Sequence, residues 1–171
     1  MVNILGTLEA ASVWIPPNRA CLGKEEWVQQ EVKRITSIWI THCRLYFDGS
    51  CTQNITGAGI VIIDPKGFHH CYSFLLDYQE ITNNRAKYEA LIIGLEILME
   101  LGATEVEVFG DSELVINQLN GEYKYRHITM AGYYLATMQL LRYWGDEISV
   151  SHIPKESNKI TNEMAQLAAG L

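Results

Sequence analysis

The clearest reactive candidates in this chain are two aspartates, Asp48 in FDGS and Asp111 in FGDS. Each follows a β-rich stretch. Carboxylates at the ends of strands in one sheet can converge on a hard divalent cation, which takes oxygen ligands. Alone, each is equally an ordinary turn former or helix N-cap. Their company shifts the balance: TNN stands at 82–84 and HIPKESN at 152–158. A residue of opposite sign also enters. In NNRAKYEAL (83–91), a step of about 100° per residue aligns Lys87 with Ala90, Leu91, Gly94, Leu98 and Leu101, the stripe that should face a core. The same geometry turns Glu89 to the solvated side with Glu96 and Glu100. An ammonium in an apolar stripe is costly unless a carboxylate meets it.

A sheet flanked by helices is needed to hold these groups. CRLYFDG, GAGIVIID and GFHHCYSFLL read as three strands separated by turn-forming residues. Thr82 caps a long helix that stops at Gly102. EVEVFG (105–110) alternates as a strand does, and a helix begins at Asp111 or Ser112. Gly121 to Arg126 is a polar loop and His127 to Trp144 is mostly helical; EISVSHI (147–153) is a strand, and Ser157 to Ala169 closes as a helix. The order β-β-β-α-β-α-α-β-α predicts one mixed sheet. Its first three strands are antiparallel by short connections, and its later strands are parallel because helices intervene.

Composition sets bounds. The 171 residues suffice for one domain with a small appendage, and 48% hydrophobic with 19% charged residues is globular. No apolar run approaches the roughly 20 residues that cross a bilayer, so no membrane association is expected. The N-terminus lacks a basic segment ahead of its apolar residues, which argues against secretion. Cys21, Cys43, Cys51 and Cys71 form neither CxxC nor zinc spacing, so reduced structural thiols in the cytosol or nucleus are expected. Asn54-Ile55-Thr56 matches a glycosylation acceptor without other support. A net charge of −7 opposes a dedicated, high-affinity nucleic-acid binder but not an acidic site that reaches nucleic acid through a metal. Residues 1–40 differ from the rest. Trp14-Ile15-Pro16-Pro17 is extended, and Lys24 to Ser37 places Val28, Val32 and Ile35 at helical spacing. This segment is either a linker or a partner-binding helix preceding a domain over 41–171.

LYFDGS, GAGIVI, TNNRAKYEALIIGLE, VEVFGDSELVINQLNGEY and SHIPKESNKITNEMAQLA, in this order over residues 43 to 169, resemble the type 1 ribonuclease H family. The similarity is greatest to the ribonuclease H-like domains of plant long-terminal-repeat retroelements and their host-resident relatives. The resemblance implies a mixed five-stranded sheet with helices on both faces. It also implies an endonuclease that cleaves RNA in RNA/DNA hybrids with Mg²⁺ or Mn²⁺ held by four carboxylates. Matched residue by residue, the first carboxylate is Asp48 and the third Asp111, while Lys87 stands at the second and Asn162 at the fourth. Glu163, next to Asn162, points about 100° away on a helix. Gly49, Ser50, Asn83, Asn84 and Ser112 match positions that contact the hybrid, and Glu113 replaces the family's usual glutamine. His152 stands near the position of a loop histidine that assists product release or proton transfer, or else at a strand end.

Two functions follow from the resemblance. One is slow metal-dependent hydrolysis, with Lys87 turned outward. The other is a module that keeps the fold, pairs Lys87 with Asp48 and Asp111, and binds nucleic acid or, through residues 1–40, a protein.

Overall fold

The computed structural model describes residues 4–5, 28–29, 41–52, 55–76, 82–121 and 128–170. Its strands are β1 (Ile4–Leu5), β2 (His42–Thr52), β3 (Ile55–Ile63), β4 (His69–Leu76), β5 (Glu105–Gly110) and β6 (Ile148–His152). Its helices are α1 (Asn83–Leu101), α2 (Glu113–Leu119), α3 (Ile128–Leu141) and α4 (Lys159–Ala168). The sheet order is β1-β4-β3-β2-β5-β6. β2, β3 and β4 pair antiparallel, and β5 and β6 join in parallel, as the short and helical connections require. The five-stranded mixed sheet is therefore as expected; the two-residue β1 on the outer edge of β4 is an addition. The expected helix over Lys24–Ser37 lies outside the described residues except for Val28 and Gln29, as do Trp14, Trp27 and the loop beyond Gly121. Val28 is buried and joins the domain's core cluster.

Alternation along each strand separates two faces. Leu45, Phe47, Ile60, Ile62, Tyr72, Phe74, Val106 and Val108 are buried, forming the core beneath α1. α1 is bounded as predicted: the Thr82 hydroxyl accepts from the Arg85 N–H, and Gly102 ends the helix at φ 76°, a left-handed conformation suited to glycine. The opposite face carries α4. There a Cβ on Gly59 would fall 2.1 Å from the Thr161 carbonyl oxygen, so the helix backbone rests directly on β3. That contact fixes how far α4 stands from the sheet.

One expectation fails. Glu89 is only 7% exposed, not solvated beside Glu96 and Glu100. α3 lies alongside α1, stacking Tyr133 on Tyr88, so α1 buries a second flank as well as its sheet-facing stripe. A single-helix wheel cannot anticipate that neighbour. Among the described residues no helix is long and apolar enough to cross a membrane. The thiols of Cys43 and Cys71 are buried, and burial pushes them up to about 12 and about 11, which makes both unreactive.

Candidate functional site

β2 and β5 are adjacent parallel strands, so Asp48 on β2 and Asp111 just beyond β5 are delivered to the same end of the sheet. Gly49 brings the third element in. A Cβ there would lie 2.5 Å from the Ala86 carbonyl carbon and the Lys87 nitrogen, so only a glycine lets the first turn of α1 settle on β2. Lys87 Nζ consequently stands 3.6 Å from Asp48 Oδ1 and 3.6 Å from Asp111 Oδ1. The lysine side chain is 21% exposed and the carboxylates 2% and 5%. α4 completes the group: Asn162 Nδ2 donates to Asp48 Oδ2 at 2.7 Å, while the Gly49 N–H donates to Oδ1 at 2.9 Å. Glu163 is exposed and outside this group, as its angular offset requires.

The electrostatics follow from burial. Desolvation pushes the Asp48 carboxyl above its ordinary value. The Asn162 amide and the Lys87 ammonium pull it back, and the neighbouring Asp111 charge raises it again. The ammonium thus serves two nearly enclosed carboxylates at once. It answers the cost that an apolar stripe would otherwise impose on Lys87. Among the described residues, no group of three or more His, Cys, Asp or Glu side chains converges as metal ligands.

The remaining predicted residues sit around this centre in different ways. Asn83 Oδ1 accepts from the Cys51 N–H at 2.9 Å, tying the start of α1 to β2. Ser50 and Asn84 are half-buried at the rim. Ser112 is the N-cap of α2, its hydroxyl accepting from Val115 N–H, and Glu113 is exposed. His152 ends β6, exposed, with Nε2 3.3 Å from the Asp111 main-chain oxygen. It addresses the backbone of the site and not its carboxylates.

Asn158 is the site residue that sequence reasoning passed over. It is buried, and Nδ2 donates to Phe47 O at 3.1 Å and to Asp111 Oδ2 at 3.3 Å, bridging the middle of β2 and the residue just beyond β5. Its place at the end of HIPKESN, immediately before α4, was the available signal.

Comparisons with known proteins identify the family of the fold. The reverse transcriptase-like family profile matches residues 46–168. Ribonuclease HI of Halobacterium salinarum is 33% identical over 87 residues, which are 51% of this chain and 43% of the relative. A bifunctional protein of Mycobacterium tuberculosis is 34% identical over 84 residues, covering 49% of this chain and 23% of the relative. The chain therefore spans less than half the length of these curated relatives. Among solved structures, the LC11 ribonuclease H1 in complex with RNA/DNA hybrid superposes with a TM-score of 0.68 at 34% identity, covering 75% of this chain and 96% of that one. The Halobacterium salinarum ribonuclease H1 structure does so at 0.68 and 28%, covering 74% and 96%. The profile spans most of the chain and the fold superposes on ribonuclease H structures: the chain belongs to the reverse transcriptase-like family of ribonuclease H-like domains.

Proposed function

We propose that the chain is a ribonuclease H-like nucleic-acid-binding domain of retroelement origin, in which metal-dependent hydrolysis of RNA in RNA/DNA hybrids is weak or lost. The observation that carries this reading is Lys87 Nζ at 3.6 Å from both Asp48 and Asp111. The donor set around it does not fit a two-cation site. Two carboxylates, one carboxamide and one ammonium offer too little negative charge, and the amine lies where positive charge would have to collect. A divalent ion about 5 Å from that ammonium meets a repulsion of roughly 6 to 7 kcal/mol at an effective dielectric near 20. Even half of that lowers ion occupancy more than about a hundredfold.

Binding is supported differently. The LC11 relative is crystallised with RNA/DNA hybrid. Gly49, Ser50, Asn83, Asn84 and Ser112 border the same end of the sheet as Asp48 and supply small polar groups suited to a wide, shallow minor groove. Exposed Glu113 weakens the attraction for phosphates. The retroelement origin rests on the motifs LYFDGS, TNNRAKYEALIIGLE and VEVFGDSELVINQLNGEY together with the reverse transcriptase-like family. A second reading, residual hydrolysis with Lys87 swung outward, draws on the one-fifth exposure of that side chain.

A hybrid-cleavage assay in Mg²⁺ and Mn²⁺ decides between them, comparing the unmodified chain with Lys87→Glu and Lys87→Glu/Asn162→Asp. Cleavage that emerges only in the double variant fits the proposal. Robust cleavage by the unmodified chain removes it.

A further inference from the structure

The three charges at the carboxylate site share charge but not hydrogen bonds. Lys87 Nζ stands 3.6 Å from Asp48 Oδ1 and 3.6 Å from Asp111 Oδ1, close enough to pair by charge but beyond hydrogen-bond reach. The carboxylates take their hydrogen bonds from other groups. The Gly49 N–H donates to Asp48 Oδ1 at 2.9 Å, and Asn162 Nδ2 donates to Asp48 Oδ2 at 2.7 Å. Asn158 Nδ2 donates to Asp111 Oδ2 at 3.3 Å. Among the described residues, no oxygen accepts a hydrogen bond from the Lys87 ammonium, so its three N–H donors are left for solvent or a ligand.

Burial decides which charge an approaching molecule meets. The Lys87 side chain is one-fifth exposed, whereas both carboxylates are nearly enclosed. The outward charge is therefore the cation. Two carboxylates and one ammonium sum to −1, so the group exerts no long-range pull on an anion. Its attraction is confined to direct contact with the amine, where screening by solvent is weakest. Half-buried Ser50 and Asn84 at the rim are neutral and add no repulsion. An ammonium with open donors beside small polar groups suits a singly charged oxygen acceptor such as a backbone phosphate, which lysine meets as a point charge.

We propose that Lys87 donates directly to a backbone phosphate of a bound RNA/DNA hybrid, and that this contact needs no divalent cation. The inference rests on the nucleic-acid-binding reading above and deepens it by naming the contact. A phosphate held by an ammonium is neutralised but not attacked. The amine brings no water of lowered pKa to the phosphorus, so the contact ends in binding and the strand stays whole.

Fluorescence anisotropy of a labelled RNA/DNA hybrid with the full chain, in EDTA and in MgCl₂ at matched ionic strength, tests this. The expected Kd is the same in both buffers. Lys87→Met should bind about tenfold more weakly, the loss of one charge-assisted hydrogen bond. Its plot of log affinity against log salt should be shallower by about one. Lys87→Arg should regain both properties, and circular dichroism verifies that each variant is folded. On the unmodified chain, hybrid should also shield Lys87 from reductive methylation, read by peptide mass spectrometry, which decides the matter if Lys87→Met does not fold. Three results overturn the contact while leaving hybrid binding in place: affinity that requires Mg²⁺, a folded Lys87→Met with the parent's affinity and salt slope, or equal methylation of Lys87 with and without hybrid. Absence of hybrid binding in either buffer removes the underlying reading and the contact with it.

Discussion

Replacing Lys87 by methionine removes the ammonium and keeps most of the side-chain volume, which isolates its electrostatic role. At 3.6 Å and an effective dielectric near 20, each of its two ion pairs carries a gross attraction of about 4 to 5 kcal/mol. Desolvation of the amine and its partial exposure offset much of that sum. The cost of breaking a buried pair, about 3 to 5 kcal/mol, is the better guide to the loss of stability at neutral pH. For a chain of this size that lowers the melting temperature by roughly 6 to 20 °C. Magnesium supplies the second arm of the experiment. With the ammonium gone, an ion held at a Kd of about 1 mM adds about 1.4 kcal/mol at 10 mM, or roughly 3 to 6 °C. The unmodified chain should show a flat response over the same range. Differential scanning calorimetry of both proteins, with and without MgCl₂, reads both effects. Equal stabilisation of the unmodified chain by Mg²⁺ would refute the reasoning, as would a variant that melts where the parent does.

The contact from α4 gives two further expectations. Asn162→Ala removes a 2.7 Å hydrogen bond to an ionised carboxylate, worth about 1.5 to 3 kcal/mol, and with it the largest influence restraining the rise of the Asp48 carboxyl. Because that carboxyl already holds its proton more tightly in the folded chain, its ionisation costs stability as pH rises from the ordinary value of 3.8 through the raised folded value. The gap between parent and variant in urea unfolding should therefore be widest near neutral pH and narrow as pH falls through that window; a constant gap would show that Asp48 is not the group involved. Gly59→Ala places a methyl 2.1 Å from the Thr161 carbonyl oxygen and should cost about 1 to 3 kcal/mol while pushing α4 outward. An unchanged side-chain amide resonance for Asn162 in that variant would contradict the outward shift.

The elements with strong local signals were legible in the sequence. Thr82 and Gly102 bound α1 through side-chain and backbone chemistry contained in a few residues, and the strand pairing follows from connection lengths. Lys87 was legible as a problem because helical geometry put a charge on an apolar stripe, and Asp48 and Asp111 offered the answer, although Asp48 lies within β2, which runs on to Thr52, and not at its end. Glu89 was misjudged because its burial depends on α3, some 40 positions away in the chain, and a helical wheel has no term for a second neighbour. Asn158 was overlooked for a related reason. Its partners are a main-chain oxygen on β2 and a carboxylate beyond β5, contacts that exist only after the sheet has assembled. β1 was invisible because two residues carry no periodicity.

The amide of Asn158 has a wider implication. By gripping a carbonyl on one strand and a carboxylate at the tip of the next, it braces the cradle through covalently attached groups. Shape and charge in this cradle are thus separable properties. A change of charge at Lys87 therefore leaves in place the walls that receive it.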